Sequence, residues 1–66
     1  MFYEGQRRYG IAQGFGRMIK HDGEYYIGQW QQSKRHGFGK QILPDGTINE
    51  GIWENDVFIE GNTTEP

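Results

Sequence analysis

The chain repeats itself at an interval of 23 residues, and that period restricts its fold more than any other feature. Shifted by 23 positions, Tyr3 falls on Tyr26, Gly5 on Gly28 and Gln6 on Gln29. Gly14-Phe15-Gly16 falls on Gly37-Phe38-Gly39, Ile19 on Ile42, and Asp22-Gly23 on Asp45-Gly46. Ordinary composition gives roughly one or two such identities in a segment of this length. A second shift sets Gly28 on Gly51 and Trp30 on Trp53, after which agreement decays: Glu60 stands where Gly37 predicts glycine. Periods of this size mark stacked arrays, in which each unit buries its apolar face only against its neighbours. The chain divides into repeat one (3–25), repeat two (26–48) and a degenerate repeat three (49–61), one module over 3–61. Residues 62–66 are expected to form a flexible tail.

Each unit reads as a β-hairpin. Tyr26-Ile27-Gly28-Gln29-Trp30 alternates with period two, placing Tyr26, Gly28 and Trp30 on one face. The polar run Gln31 to His36 predicts a loop, and Gly37 to Leu43 the return strand. Pro44-Asp45-Gly46 is a strong turn: proline presets φ, aspartate bonds the local backbone and glycine takes positive φ. His21-Asp22-Gly23 does the same one repeat earlier. Six short strands follow, near 2–7, 14–20, 24–31, 37–43, 47–54 and 57–61. No useful stretch has helical period. The expected fold is all-β, an elongated single-layer antiparallel meander of stacked hairpins.

Glycine weakens a strand unless something uses its bare backbone. Here an aromatic ring on one strand can cover glycine on the next. The expected repeat core is Tyr3, Gly5, Tyr26, Gly28, Trp30, Gly37, Gly39, Gly51 and Trp53. Phe15 and Phe38 alternate to the opposite face, beside Arg17, Ile19, Lys40 and Ile42. One layer cannot bury both faces. Phe38 and Ile42, with the apolar run Val57-Phe58-Ile59 at the last strand, are therefore candidate protein-interface residues.

Charge bears on partners rather than on fold. The formal net charge of −2 conceals a split: residues 1–43 carry all seven Lys and Arg against Glu4, Asp22 and Glu24, a net of +4. Residues 44–66 carry six acids and no Lys or Arg, a net of −6. The acidic end would be repelled by nucleic acid, so no nucleic-acid partner is expected. The absence of cysteine fits a reducing compartment.

Tyr26-x-Gly28-x-Trp30, then Lys34-Arg35-His36-Gly37-x-Gly39, then Pro44-Asp45-Gly46, at a 23-residue period, resembles the MORN repeat (membrane occupation and recognition nexus). The resemblance covers residues 3–54 well and 55–61 poorly. Repeat one departs at Arg7, where the motif has tryptophan, and at Gly10-Ile11-Ala12-Gln13, where it has a basic loop. Repeat three departs at Asn49, in place of tyrosine, and at Val57-Phe58-Ile59-Glu60. The resemblance implies a non-enzymatic scaffold that mediates protein–protein interaction in a larger assembly or a longer chain. It implies a cytoplasmic setting, cytoskeletal or ciliary, or peripheral on a membrane. Its alternative implication is binding of acidic phospholipid (phosphoinositide) head groups.

Lys34, Arg35 and His36 are the candidate head-group site, since Lys and Arg donate to phosphate oxygens and histidine adds charge below neutral pH. The competing reading is a solvated hairpin tip, and a single complete basic loop gives little affinity. Gly14-Phe15-Gly16 and Gly37-Phe38-Gly39 lack the third glycine and the following helix of a nucleotide loop. Ser33, His36 and Asp45 have the residue types of a nucleophile, base and orienter, but a hairpin holds them at opposite ends and offers no dry pocket. His21 and His36 without cysteine do not make a transition-metal site. No catalytic, cofactor or metal residue is expected.

Overall fold

Two-residue turns build the three hairpins. In the computed structural model, which describes residues 1–66, Gln32 and Ser33 have φ of 51° and 63°. Tyr9-Gly10 (54°, 78°) and Asn55-Asp56 (49°, 70°) match them. Two successive positive φ values define a turn whose twist suits the strands on either side, so pairing begins at the flanking residues. The strands are β1 (Phe2–Arg8), β2 (Ile11–Ile19), β3 (Tyr25–Gln31), β4 (Lys34–Ile42), β5 (Ile48–Glu54) and β6 (Val57–Thr64). They form one antiparallel sheet in sequence order, with no helix and no second layer.

Two expected boundaries shift. Lys34, Arg35 and His36 lie in β4, not in a loop, because Gln32-Ser33 turns the chain in two residues and Gln31 pairs Lys34. Polar composition suggested a loop, but the ladder is made by the backbone and accepts polar side chains on an exposed face. Asn62 to Thr64 belong to β6, pairing Glu50 to Ile48, rather than to a flexible tail. Repeat three, degenerate in sequence, is also one residue short. Gly61 is the counterpart of Gly39, one residue early, and faces Gly51 as Gly39 faces Gly28 and Gly16 faces Gly5.

The missing residue comes out of a bulge. Between Gly28↔Gly39 and Trp30↔Arg35, one residue of β3 opposes three of β4. The same irregularity separates Gly5↔Gly16 from Arg7↔Ala12. Gly37, with φ of 90°, sits at the apex of the β4 bulge, where a side chain would be strained. The Gln29 amide closes over it and accepts from the Phe38 N–H at 2.7 Å; Gln6 does the same for Phe15, also at 2.7 Å. Repeat three has Ile52 at the equivalent position and a bulge one residue smaller.

The core is a single row of rings across the sheet. Tyr3, Trp30, Tyr26 and Trp53 meet edge to face at centroid distances of 5.3, 5.1 and 5.4 Å, and Phe58 ends the row 5.1 Å from Trp53. Ala12 and Met18 complete the buried cluster. The tyrosines and tryptophans are also tied to the glycine lattice. Trp30 donates to the Gly16 carbonyl at 3.0 Å and Trp53 to Gly39 at 3.1 Å. The Tyr26 hydroxyl donates to the Gln29 carbonyl at 3.0 Å and lies over Gly39, where a Cβ would overlap the ring. Rings on backbone thus replace the aliphatic second layer that most sheets need.

Candidate interaction surfaces

The sheet offers a ring-bearing face, an opposite outer face and two edges. On the ring-bearing face a polar ladder runs beside the aromatic row. Gln41 donates to Glu24 at 2.8 Å, Asn49 to Gln41 at 2.9 Å, and Thr63 to Asn49 at 2.7 Å. Asn49 stands where repeat two has Tyr26, so the departure from the repeat pattern builds this chain of bonds. No buried side-chain donor or acceptor is left unpaired. That is the expected condition for polar groups held out of water.

Arg35 is the hub between ladder and rings. Its guanidinium lies 4.9 Å from the Trp53 centroid and 5.8 Å from that of Tyr26. It reaches Glu24 at 3.4 Å and Asp56 at 3.2 Å, and its side chain is only 15% exposed. Its backbone N–H also donates to the Asp56 carboxylate at 2.8 Å. Of the head-group candidates, Arg35 is therefore spent on internal contacts, flanked by two acids. Lys34 is exposed and His36 half-buried on the same strand. Three neighbours in sequence do not converge on one phosphate-sized position, because alternate strand residues face opposite ways.

The outer face carries cross-strand rows set by the register. One row runs Phe2, Ile19, Tyr25, Ile42 and Ile48; the next runs Glu4, Arg17, Ile27, Lys40 and Glu50. Beyond it lie Phe15 beside Gln29, and Phe38 beside Ile52. Phe15 and Phe38 are 56% and 52% exposed, and Ile19, Ile27 and Ile52 are exposed with them. Charge within the middle row is partly matched, Arg17 meeting Glu4 across β1 and β2. Apolar stripes flanking a charged one make this face amphipathic across the strands.

The edge candidates separate. Val57 and Ile59 are exposed, whereas Phe58 packs on Trp53, its cross-strand partner, and closes the aromatic row. Phe58 is thus core rather than free interface; its pairing directly opposite Trp53 sets it on the ring-bearing face. The remaining repeat-core expectations map onto the ring-bearing face: Tyr26, Trp30 and Trp53 are buried, Tyr3 is half-buried, and Gly5, Gly28, Gly39 and Gly51 pair in the glycine lattice. Gly37 belongs to the bulge rather than to the lattice. Sequence reasoning missed Gln6, Gln29, Arg35 as an internal residue, and the Glu24–Thr63 ladder. The two glutamines left a signal, being identical at the repeat interval.

Ionisation follows this packing. Burial pushes the Tyr26 phenol up to about 12, the nearby Arg35 charge opposing it. Burial also raises Tyr3, against the pull of Arg7. Asp45 is held below its usual value by the Thr47 backbone N–H, which donates to it at 2.8 Å in the turn. No group of His, Cys, Asp and Glu side chains could hold a metal ion, and no helix is long and apolar enough to cross a membrane.

Among curated proteins no match is found. The family model for the MORN repeat matches twice, over residues 3–25 and 26–48, together well over half of the chain and at the boundaries the period sets. Such repeats serve generally as protein and lipid interaction modules. The six-stranded sheet, the 23-residue hairpin unit and both matches agree, and the chain belongs to the MORN repeat family.

Proposed function

We propose that the chain is a non-enzymatic scaffolding module whose outer face docks other proteins within a cytoplasmic assembly. The observation that carries this reading is the exposure of Phe15, Phe38, Ile19, Ile27 and Ile52 on one side of a one-layer sheet. Singly exposed apolar residues are ordinary, but a contiguous set on an ordered face marks an interaction site. The molecule measures 38 × 25 × 14 Å, so its broad face matches the roughly 800 Å² per partner of a standard interface. The stripes suit a partner surface of the same make, apolar residues flanking matched charges.

The head-group reading draws less support. It needs Lys34, Arg35 and His36 to act together, and Arg35 is committed to Glu24, Asp56 and the rings. Acids beside the cation repel phosphate. Flotation with vesicles containing phosphatidylserine or phosphoinositide separates the two readings. The scaffold reading expects no flotation of the wild-type chain at moderate salt. Flotation abolished by Lys34→Glu would establish the lipid reading instead. A cytoskeletal or ciliary assembly fits the family, and recovery of the bound partner identifies which assembly it is.

A further inference from the structure

The two edges of the sheet match each other as the two sides of an internal repeat junction do. At the β2–β3 junction Gly16 faces Gly28, and at β4–β5 Gly39 faces Gly51. A turn residue then clasps the preceding repeat. Ser33 donates its N–H to the Ala12 carbonyl at 2.9 Å, while the Ala12 N–H donates to the Ser33 hydroxyl at 3.3 Å. Asp56 clasps Arg35 through its N–H at 3.0 Å and its carboxylate at 2.8 Å. Finally, a tryptophan donates to the glycine carbonyl of the strand before it.

β6 presents the receiving half of this junction with no strand beside it. Gly61 faces Gly51 from within, and Phe58 occupies the register position of Ala12 and Arg35. β1 presents the incoming half. Gly5 has the backbone conformation of Gly28 and Gly51, with φ of 158° against 159° and 158°. Tyr3 stands in Tyr26's place, Gly10 in Ser33's, and Arg7 in Trp30's. Arg7 brings N–H donors where tryptophan brings one, and its guanidinium lies 4.8 Å from the Tyr3 centroid. Charge agrees as well: Arg7 and Arg8 stand at the β1 end, Glu54 and Glu60 at the β6 end.

We propose that copies of this chain associate head to tail, β6 of one copy receiving β1 of the next as the outgoing strand of one more repeat. Gly61 faces Gly5 of the next copy, Asn62 faces Glu4, Thr63 faces Tyr3 and Thr64 faces Phe2. The Gly10 N–H of the next copy donates to the Phe58 carbonyl, the backbone half of the clasp, and its Arg7 donates to the Gly61 carbonyl and meets the open side of the Phe58 ring. The contact is heterologous and does not close, so it extends into a ribbon. It uses different residues from the outer-face docking proposed above and leaves that face free.

The open N–H groups of β6 follow from its hairpin. Glu54↔Val57 closes a two-residue turn and is hydrogen-bonded, and pairs then alternate, so Asn49↔Thr63 is a non-bonded pair and the Thr63 N–H faces the edge. Sedimentation velocity of the 66-residue chain tests the proposal across a wide concentration range at low salt. The wild type should grow in average mass with concentration and shrink with added salt. Arg8→Glu and Glu60→Arg should each associate far less than wild type, because each cancels the net charge at one side of the contact, and their equimolar mixture, in which the unaltered β1 end of one variant meets the unaltered β6 end of the other, should associate again. Thr63→Pro should be monomeric with an unchanged β-sheet spectrum; should it unfold, the mixture decides. Phe15→Ser/Phe38→Ser should still associate. A wild type that stays monomeric, a mixture that fails to recover, folded Thr63→Pro that still associates, or loss of association in the double outer-face variant overturns the proposal.

Discussion

The Tyr26 hydroxyl lies over the bare Cα of Gly39 on the neighbouring strand and leaves no room there for a side chain. Tyrosine and glycine are thus one packing unit. Gly39→Ala should destabilise the chain by at least the ~1–3 kcal/mol of an overpacked core. Gly23→Ala, at a turn glycine with open space around it, lacks that overlap and serves as the reference for backbone strain alone. Urea denaturation of the two variants checks the difference, Gly39→Ala being the worse.

Trp30 touches two tyrosines and a glycine carbonyl from a single position. Trp30→Ala should cost about 3–5 kcal/mol. That equals the whole stability a single small core supplies at this size. The variant should lose its cooperative melt and its β-sheet circular dichroism.

Lys34 and Arg35 are adjacent cations with opposite fates. Arg35→Gln removes two ion pairs and two ring contacts and leaves Glu24 with Gln41 and the more exposed Lys20, so it should cost about 1–3 kcal/mol. Lys34→Gln should stay within about 0.5 kcal/mol of wild type, the usual range for an exposed site. Thermal melts of both variants at equal ionic strength measure the contrast.

Much of this was readable in the residues, for a physical reason. The 23-residue period fixes a stack of hairpins, because a unit with one apolar face has no other place to bury it. Tyr26, Gly28 and Trp30 announce the core by alternation. Arg35 was not readable: its sequence neighbours Lys34 and His36 make it look like a solvated tip, and only the Trp30↔Arg35 register places it over Trp53. The turn at Gln32-Ser33 lacks the usual Asn-Gly signature, so the strand was expected to start three residues late. Phe58 stands 23 residues after Arg35 in the same register position, so its inward direction was hidden together with that of Arg35; the residue missing after it displaces only Gly61.

Alkaline pH should loosen the fold through Tyr26. Its phenol ionises near 10 when unfolded and at about 12 when folded, so between these values the folded state holds a proton that the unfolded state has lost. Stability from this group is fully present below pH 10 and falls as pH rises toward 12. Ultraviolet absorbance of phenolate, followed alongside circular dichroism, should show Tyr26 ionising late. Its ionisation at the ordinary tyrosine value in the folded chain would place its ring in water.

The central claim is a division of labour: the ring-bearing face holds the chain together and the outer face binds protein. The most direct measurement compares proteins retained by the immobilised wild-type chain and by Phe15→Ser/Phe38→Ser, with the melting temperature of both recorded. The account predicts that the double variant melts within a few degrees of wild type and loses the retained protein. A variant that unfolds as Trp30→Ala does, or one that stays folded and keeps the same protein, would contradict it.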